Sequence, residues 1–520
     1  MGNFFLLLSV LIWSNVSLCQ EATLRIANSK EPESLDPVLM DGVEAQIVGS
    51  SLFEGLVVRD PKTAMPVPGS ASSWEISEDG KSYTFKIRST ARWSDGVEVK
   101  ASDFVNSWKR ALDPKSKAYY GTYLDGIVGA KEWRLGNAAI RLGLEVVDPK
   151  TFRVKLNNPD NAFLDKLTSP VFFPVRLDLI SNQSSWARPG MISNGPFILK
   201  SWKLNQSLDL IPNPYYWDYA NLKLTKVQFF TVPDAHTALQ MYDNNEVDWV
   251  SILPLGGVEK LKERPDFTRS PEAGTVYLRF NLTFGPLRIK EVRQAISLSI
   301  NRSIIAEKFA REGQKAAFRF VSPGIPGYPE TRVLEEDVEK ARALLAKAGF
   351  PRGKGFPPMQ LLFISDPQSQ SVATALSSML KQNLGIAISP VNLEKGSYYD
   401  RLDGLSFHLA RSMWRPQYLD PMNFLDKFTS ANTWQNLTGY KSADYDDLIS
   451  RARIEKNIQE QAKILDKAER LLIADDAVIV PLYYNVSTNL WRPTFTGFFH
   501  NALDIHPLKA VAPVLVTGKK

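Results

Sequence analysis

Trp74-Glu75-Ile76-Ser77 leads into the polar turn Glu78-Asp79-Gly80-Lys81 and returns through Tyr83-Thr84-Phe85-Lys86-Ile87-Arg88. Two alternating runs around a glycine-containing turn predict a β-hairpin, because successive strand residues face opposite sides of a sheet. Working outward, residues 151–156 and 227–232 predict further strands. Helical spacing takes over at 333–348, where Ala341, Leu344, Leu345 and Ala348 recur on one face, and Gly349 and Pro351 predict its end. Residues 292–309 and 458–473 read as helices in the same way. The pattern is α/β with mixed sheets, without internal repeats or low-complexity linkers.

Composition narrows the function. At 520 residues the chain exceeds one hydrophobic core, and its length corresponds to roughly three domains. Its 44% hydrophobic and 23% charged residues are those of a globular chain rather than a disordered one. The 62 basic against 56 acidic residues leave a net charge of only +6, and no run of five like charges occurs, so a nucleic-acid partner is not expected. The aromatic load of 12 Trp, 17 Tyr and 27 Phe suits a protein that lines a wet cavity, since Tyr and Trp combine contact area with a polar handle.

Residues 4–13 form an apolar run too short to span a bilayer but of the length of a signal-peptide core. No Lys or Arg precedes it, which departs from the usual pattern. Cys19 is the only cysteine, so no internal disulfide forms. Two readings of it stand side by side. Val16-Ser17-Leu18-Cys19 is either a lipobox whose cysteine is lipidated, or the end of a signal peptide cut after Cys19. Both place the protein outside the cytoplasm, in the periplasm or at the cell surface.

Catalytic signals are missing. The four histidines, at 236, 408, 500 and 506, show no metal-ligand spacing. No G-x-S-x-G, phosphate loop or dinucleotide fingerprint occurs, and without a cysteine after position 19 a mature catalytic thiol is ruled out. The expectation is a protein without catalytic residues, metal or cofactor. An exported peptidase is the alternative from another class, and a cell-surface adhesin or chaperone is a third reading.

An ordered set of short motifs adds a resemblance. Ser34-Leu35-Asp36-Pro37, Leu52-Phe53-Glu54-Gly55-Leu56, Trp93-Ser94-Asp95-Gly96 and Ala101-Ser102-Asp103-Phe104 come first. Asn194-Gly195-Pro196-Phe197, Asn213-Pro214-Tyr215-Tyr216-Trp217, Arg293-Gln294-Ala295, Tyr418-Leu419-Asp420-Pro421 and Val480-Pro481-Leu482-Tyr483-Tyr484 follow. In this order the set resembles the extracellular oligopeptide-binding proteins of bacterial ABC importers, within solute-binding protein family 5, over residues 23–510. The resemblance implies a two-lobed periplasmic-binding-protein fold (type II, cluster C) with an additional third domain and a hinge between lobes. After a signal peptide at 1–19, lobe I is expected at 20–53, 177–274 and 485–520, the additional domain at 54–176, and lobe II at 275–484. It also implies a monomer that binds a short peptide and docks on the permease and ATPase subunits of the importer.

A receptor for peptides of any sequence must use what all peptides share, so main-chain pairing supplies affinity and hydrated pockets accept the side chains. By resemblance, residues 411–418, with Arg411, Ser412, Trp414, Gln417 and Tyr418, pair with the ligand backbone, and Asp41 and Val43 do so from the other lobe. Tyr120, Tyr277 and Tyr398 fall where the family places aromatic walls. Asp36, Trp93, Asp95 and Trp217 match as fold-keeping residues. Gln417 is a departure: family members that take free peptides carry an aspartate there, which meets the ligand ammonium. A neutral amide leaves a buried ammonium uncompensated. The expectation is therefore a ligand whose amino end is blocked or modified, a muropeptide or another small solute in the same transport role, unless Asp41 or Asp420 supplies the charge. Arg279, Arg311 and Arg411 are the candidates for holding a ligand carboxylate.

Overall fold

Two long antiparallel strands, Phe267–Phe280 and Ile479–Trp491, organise the molecule. At about 3.3 Å per residue each spans more than 40 Å. The computed structural model describes residues 22–180, 186–254 and 257–514. The signal segment and Cys19 lie outside the described residues. The two strands are the centre of a ten-stranded sheet. On one side, Phe267–Pro271 pairs with Val486–Leu490, and the sheet continues through Trp249–Val250, Thr23–Asn28, Lys226–Thr231, Ser207–Pro212 and Phe197–Lys203. On the other side, Thr275–Arg279 pairs with Ile479–Tyr484, followed by Leu409–Trp414, Met359–Ile364 and Ile388–Leu393. The register breaks between Pro271 and Thr275. A break of this kind bends the strand and re-aims its side chains, and it falls where the two halves of the sheet meet.

Each half has its own core. Leu24, Val48, Phe53, Phe197, Leu210 and Phe229 belong to one. Val276, Leu278, Phe280, Ile296, Leu376 and Leu409 belong to another. Every residue of Ala273–Phe280 is buried, with Val276, Leu278 and Phe280 in one core and Ala273 and Tyr277 in another, so both faces of the strand are covered.

The hairpin expected at 74–88 forms from Ala71–Ile76 and Ser82–Ile87, inside a separate four-stranded sheet with Thr151–Lys155 and Leu144–Asp148. Helix Ala101–Leu112 seals that sheet: Trp108 meets Phe152 edge-on at 5.0 Å and Phe172 at 5.0 Å. Asp103, three residues into this helix, accepts from the Lys100 amide at 2.9 Å and from the Trp93 indole at 3.1 Å. Asp36 forms a two-pronged ion pair with Arg110, and Trp217 donates to Glu54 at 2.8 Å.

Two helices differ from their expected bounds. The 333–348 helix begins only at Val338, because the Asp337 carboxylate accepts from the Lys340 amide and caps it there. Val333 and Leu334 are instead buried in a neighbouring core. The 292–309 helix is interrupted: Lys290–Leu298 ends, Asn301 caps a new turn by accepting from the Ile304 amide, and a π-helical turn covers Ile305–Ala310. Among the described residues no helix is long and apolar enough to cross a membrane.

Candidate functional site

The site lies where the two halves of the sheet face each other. A cavity of about 270 Å³ is lined by residues 41–43 and 503–509 from one half, by 272 and 415–417 from the other side, and by Arg59, Tyr120 and 168–170.

One wall is the start of helix Gly42–Leu52. Gly42 has φ +82°, a left-handed conformation that a side chain would strain, and this turn presents Asp41 and Val43 to the opening. Val43 is 52% exposed, and the Tyr120 hydroxyl donates to Asp41 Oδ1 at 3.0 Å. Burial, followed by the Asp41 charge, pushes the Tyr120 phenol well above its ordinary range. Behind this wall Glu54 is buried and fully engaged, accepting from Tyr216 at 2.5 Å, Trp217 at 2.8 Å and Lys509 at 3.3 Å.

The opposite wall follows strand Leu409–Trp414. The backbone N–H groups of Arg415 and Gln417 have no acceptor among the described residues. They are donors of the kind that peptide main chain can use. The Gln417 carbonyl accepts from Arg59 Nη2 at 3.0 Å, while Arg59 Nη1 is paired with Asp165 at 2.5 Å. Arg59 therefore ties the 415–417 segment to the other side of the cavity. Tyr418 packs edge-on against Tyr123 at 5.9 Å beneath Lys166 Nζ at 5.4 Å, and burial raises its phenol to about 12.

Of the residues singled out in the sequence, Asp41, Val43, Tyr120 and Gln417 come together around the cavity. Tyr418 serves the contact between the two sides. Tyr277, Tyr398, Ser412 and Trp414 do not line the cavity; the first three form a buried polar cluster inside the second half, with Trp414 partly buried beside it. Tyr277 is 0% exposed and its hydroxyl accepts from Arg279 at 2.7 Å; Tyr398, 2% exposed, contacts Ser412 Oγ at 2.9 Å. Lys427 Nζ sits 3.5 Å over the Trp414 ring with no carboxylate partner among the described residues, and burial, then Arg279, drives its pKa well below the ordinary value. Aromatic residues with polar tips satisfied these interior positions, which sequence spacing does not separate from cleft walls.

Arg411 is partly buried, donating to the Tyr483 hydroxyl at 2.7 Å. Arg311 donates to the Lys308 carbonyl on the surface. Asp420 is buried away from the cavity, accepting from the Met422 amide at 2.7 Å, and burial raises it to about 6. Sequence reasoning missed Glu272 and the Asp504–His506 pair, at 3.0 Å, on the cavity wall, where Arg415 of the expected 411–418 segment also lies. Among the described residues, no group of three or more side chains could hold a metal ion.

The family model described as bacterial extracellular solute-binding proteins, family 5 Middle, matches residues 65–436. The periplasmic murein peptide-binding protein MppA of Escherichia coli is 32% identical over 488 residues, covering 91% of this chain and 90% of that protein. The periplasmic oligopeptide-binding protein OppA of Escherichia coli is 32% identical over 499 residues, covering 93% and 91%. A solved periplasmic oligopeptide-binding protein from Borrelia burgdorferi superposes with a TM-score of 0.82 at 30% identity, over 95% of this chain and 100% of that one.

Proposed function

Because the chain belongs to the bacterial extracellular solute-binding proteins of family 5, we propose that it captures oligopeptides between its two lobes and delivers them to the permease and ATPase subunits of an ABC importer. Lobe I comprises 20–53, 177–274 and 485–520, the additional domain 54–176, and lobe II 275–484. The protein acts as an exported monomer, soluble or anchored through a lipidated Cys19, and does no chemistry on its cargo. The observation that carries this reading is the cavity itself. It has backbone donors at Arg415 and Gln417 without an acceptor among the described residues on one wall, the exposed turn at Asp41 and Val43 on the other, and Glu272 of the crossing strand between them. Crossing strands allow the lobes to swing about a hinge and enclose the ligand.

Native mass spectrometry of the protein purified from its source tests the proposal. Intact peptides released from the protein are the expected result, and a non-peptidic cargo would overturn it. New termini generated in an added peptide mixture would favour the exported peptidase instead. A second reading, a modified or amino-blocked peptide of the murein type, is favoured by Gln417, which brings no charge to the cavity. The murein peptide-binding relative points the same way.

A further inference from the structure

The carboxylates around the cavity differ in what they have left to offer. Both Glu54 oxygens are taken by Tyr216, Trp217 and Lys509. Asp504 is held by three partners, His506 at 3.0 Å and Asn489 at 3.2 Å on Oδ1, and the Ser487 hydroxyl. Asp41, at the rim, accepts from the Tyr120 hydroxyl. Glu272 stands apart. Its Oε2 alone takes both Asn485 at 2.5 Å and Arg415 at 3.2 Å, and Oε1 has no partner among the described residues. The Glu272 side chain is 8% exposed, so that oxygen has little bulk water around it. The register break between Pro271 and Thr275 aims it into the cavity rather than along the sheet.

Resting on the peptide reading above, we infer that Glu272 receives the ligand's amino group, supplying from the crossing strand the negative charge that Gln417 does not. The arrangement suits a cation. Arg415 is a single, half-exposed counter-charge at one oxygen, and the other oxygen is open to an incoming ammonium. Burial raises the Glu272 carboxyl to about 7 against the opposing pull of Arg415, with Asp504 adding to the rise, so the site is short of positive charge when empty. An ammonium placed there completes the charge balance at a carboxylate already paired with Arg415 on the facing wall. This assignment predicts a preference for free amino ends and so parts company with the amino-blocked reading.

Isothermal titration of the mature protein with trialanine and with N-acetyl-trialanine tests it. The free peptide is expected to bind at least about tenfold more tightly, as one charge-assisted hydrogen bond gives. Glu272→Gln should remove that difference by weakening the free peptide alone, whereas Asp41→Asn should leave the ratio unchanged. A thermal melt of each variant establishes that it is folded, and Glu272→Asp should restore part of the preference. Equal or tighter binding of the acetylated peptide by the wild type would overturn the assignment while leaving the peptide reading intact. So would a Glu272→Gln variant that weakens both peptides equally. Binding of neither peptide would remove both.

Discussion

Replacing Arg59 with lysine separates the two jobs this side chain performs. The guanidinium reaches Asp165 through Nη1 and the Gln417 carbonyl through Nη2 at 3.0 Å. A lysine ammonium keeps the charge beside Asp165 but, as a single point donor, does not span both partners. Only the bond to Gln417 depends on the lobes being together. A hydrogen bond from a charged donor contributes about 1.5–3 kcal/mol, and each 1.4 kcal/mol is about a tenfold change in an equilibrium constant. Arg59→Lys should therefore raise the Kd for an oligopeptide by about 10- to 100-fold, mostly through faster dissociation, because the closed form is what retains the ligand. Stopped-flow dissociation of a fluorescent tetrapeptide reads this directly. Arg59→Met should behave differently: it leaves Asp165 buried without its partner and destabilises the fold itself by about 3–5 kcal/mol. If Arg59→Lys leaves the Kd within threefold of the wild type while melting normally, Arg59 does not latch the lobes and the closure argument fails.

Other consequences concern stability. Glu469 is fully buried and accepts from the Phe320 and Val321 amides, from Tyr328 at 2.9 Å and from Arg319 at 2.9 Å; Glu469→Ala should cost about 3–5 kcal/mol in urea denaturation, with an unchanged slope. Lys427 has its folded-state pKa driven well below 10.5, so between those values the unfolded chain holds the extra proton and wild-type stability should rise with pH. Lys427→Met should flatten that rise below pH 10.5, and an identical slope in both proteins would refute the reading. Asp420 is raised to about 6 by burial, so the native state holds the extra proton between about 4 and 6, and its contribution to stability is lost as pH rises through that window. At roughly 1.36 kcal/mol per unit, Asp420→Asn should gain up to about 3 kcal/mol over the wild type at pH 7 and nothing at pH 3.5.

Local features were legible in the sequence, and those set by distant packing were not. The hairpin around Gly80 and the helix end at Gly349 depend on turn chemistry within a few residues, so pattern located both. The start of the 338–347 helix was misjudged because Val333 and Leu334 carry helical spacing yet are drawn into another core. The cleft was half legible. Asp41, Val43, Tyr120 and Gln417 lie on the cavity wall, two of them next to short motifs and therefore placeable by resemblance. Tyr277 and Trp414 are strand residues whose inward or outward facing depends on the sheet register, with Thr275 opposite Trp414 and Tyr277 opposite Ser412. Reading Glu272 required knowing that the crossing strand breaks register at that point, which no spacing of residues announces.

A crystal structure of the protein grown with trialanine tests the central claim most directly. The account predicts an extended peptide in the cavity, its carbonyls accepting from the Arg415 and Gln417 amides and its far side against Asp41 and Val43. A peptide bound only on the outer surface, or a cavity filled by the protein's own side chains with no peptide in it, would contradict the account.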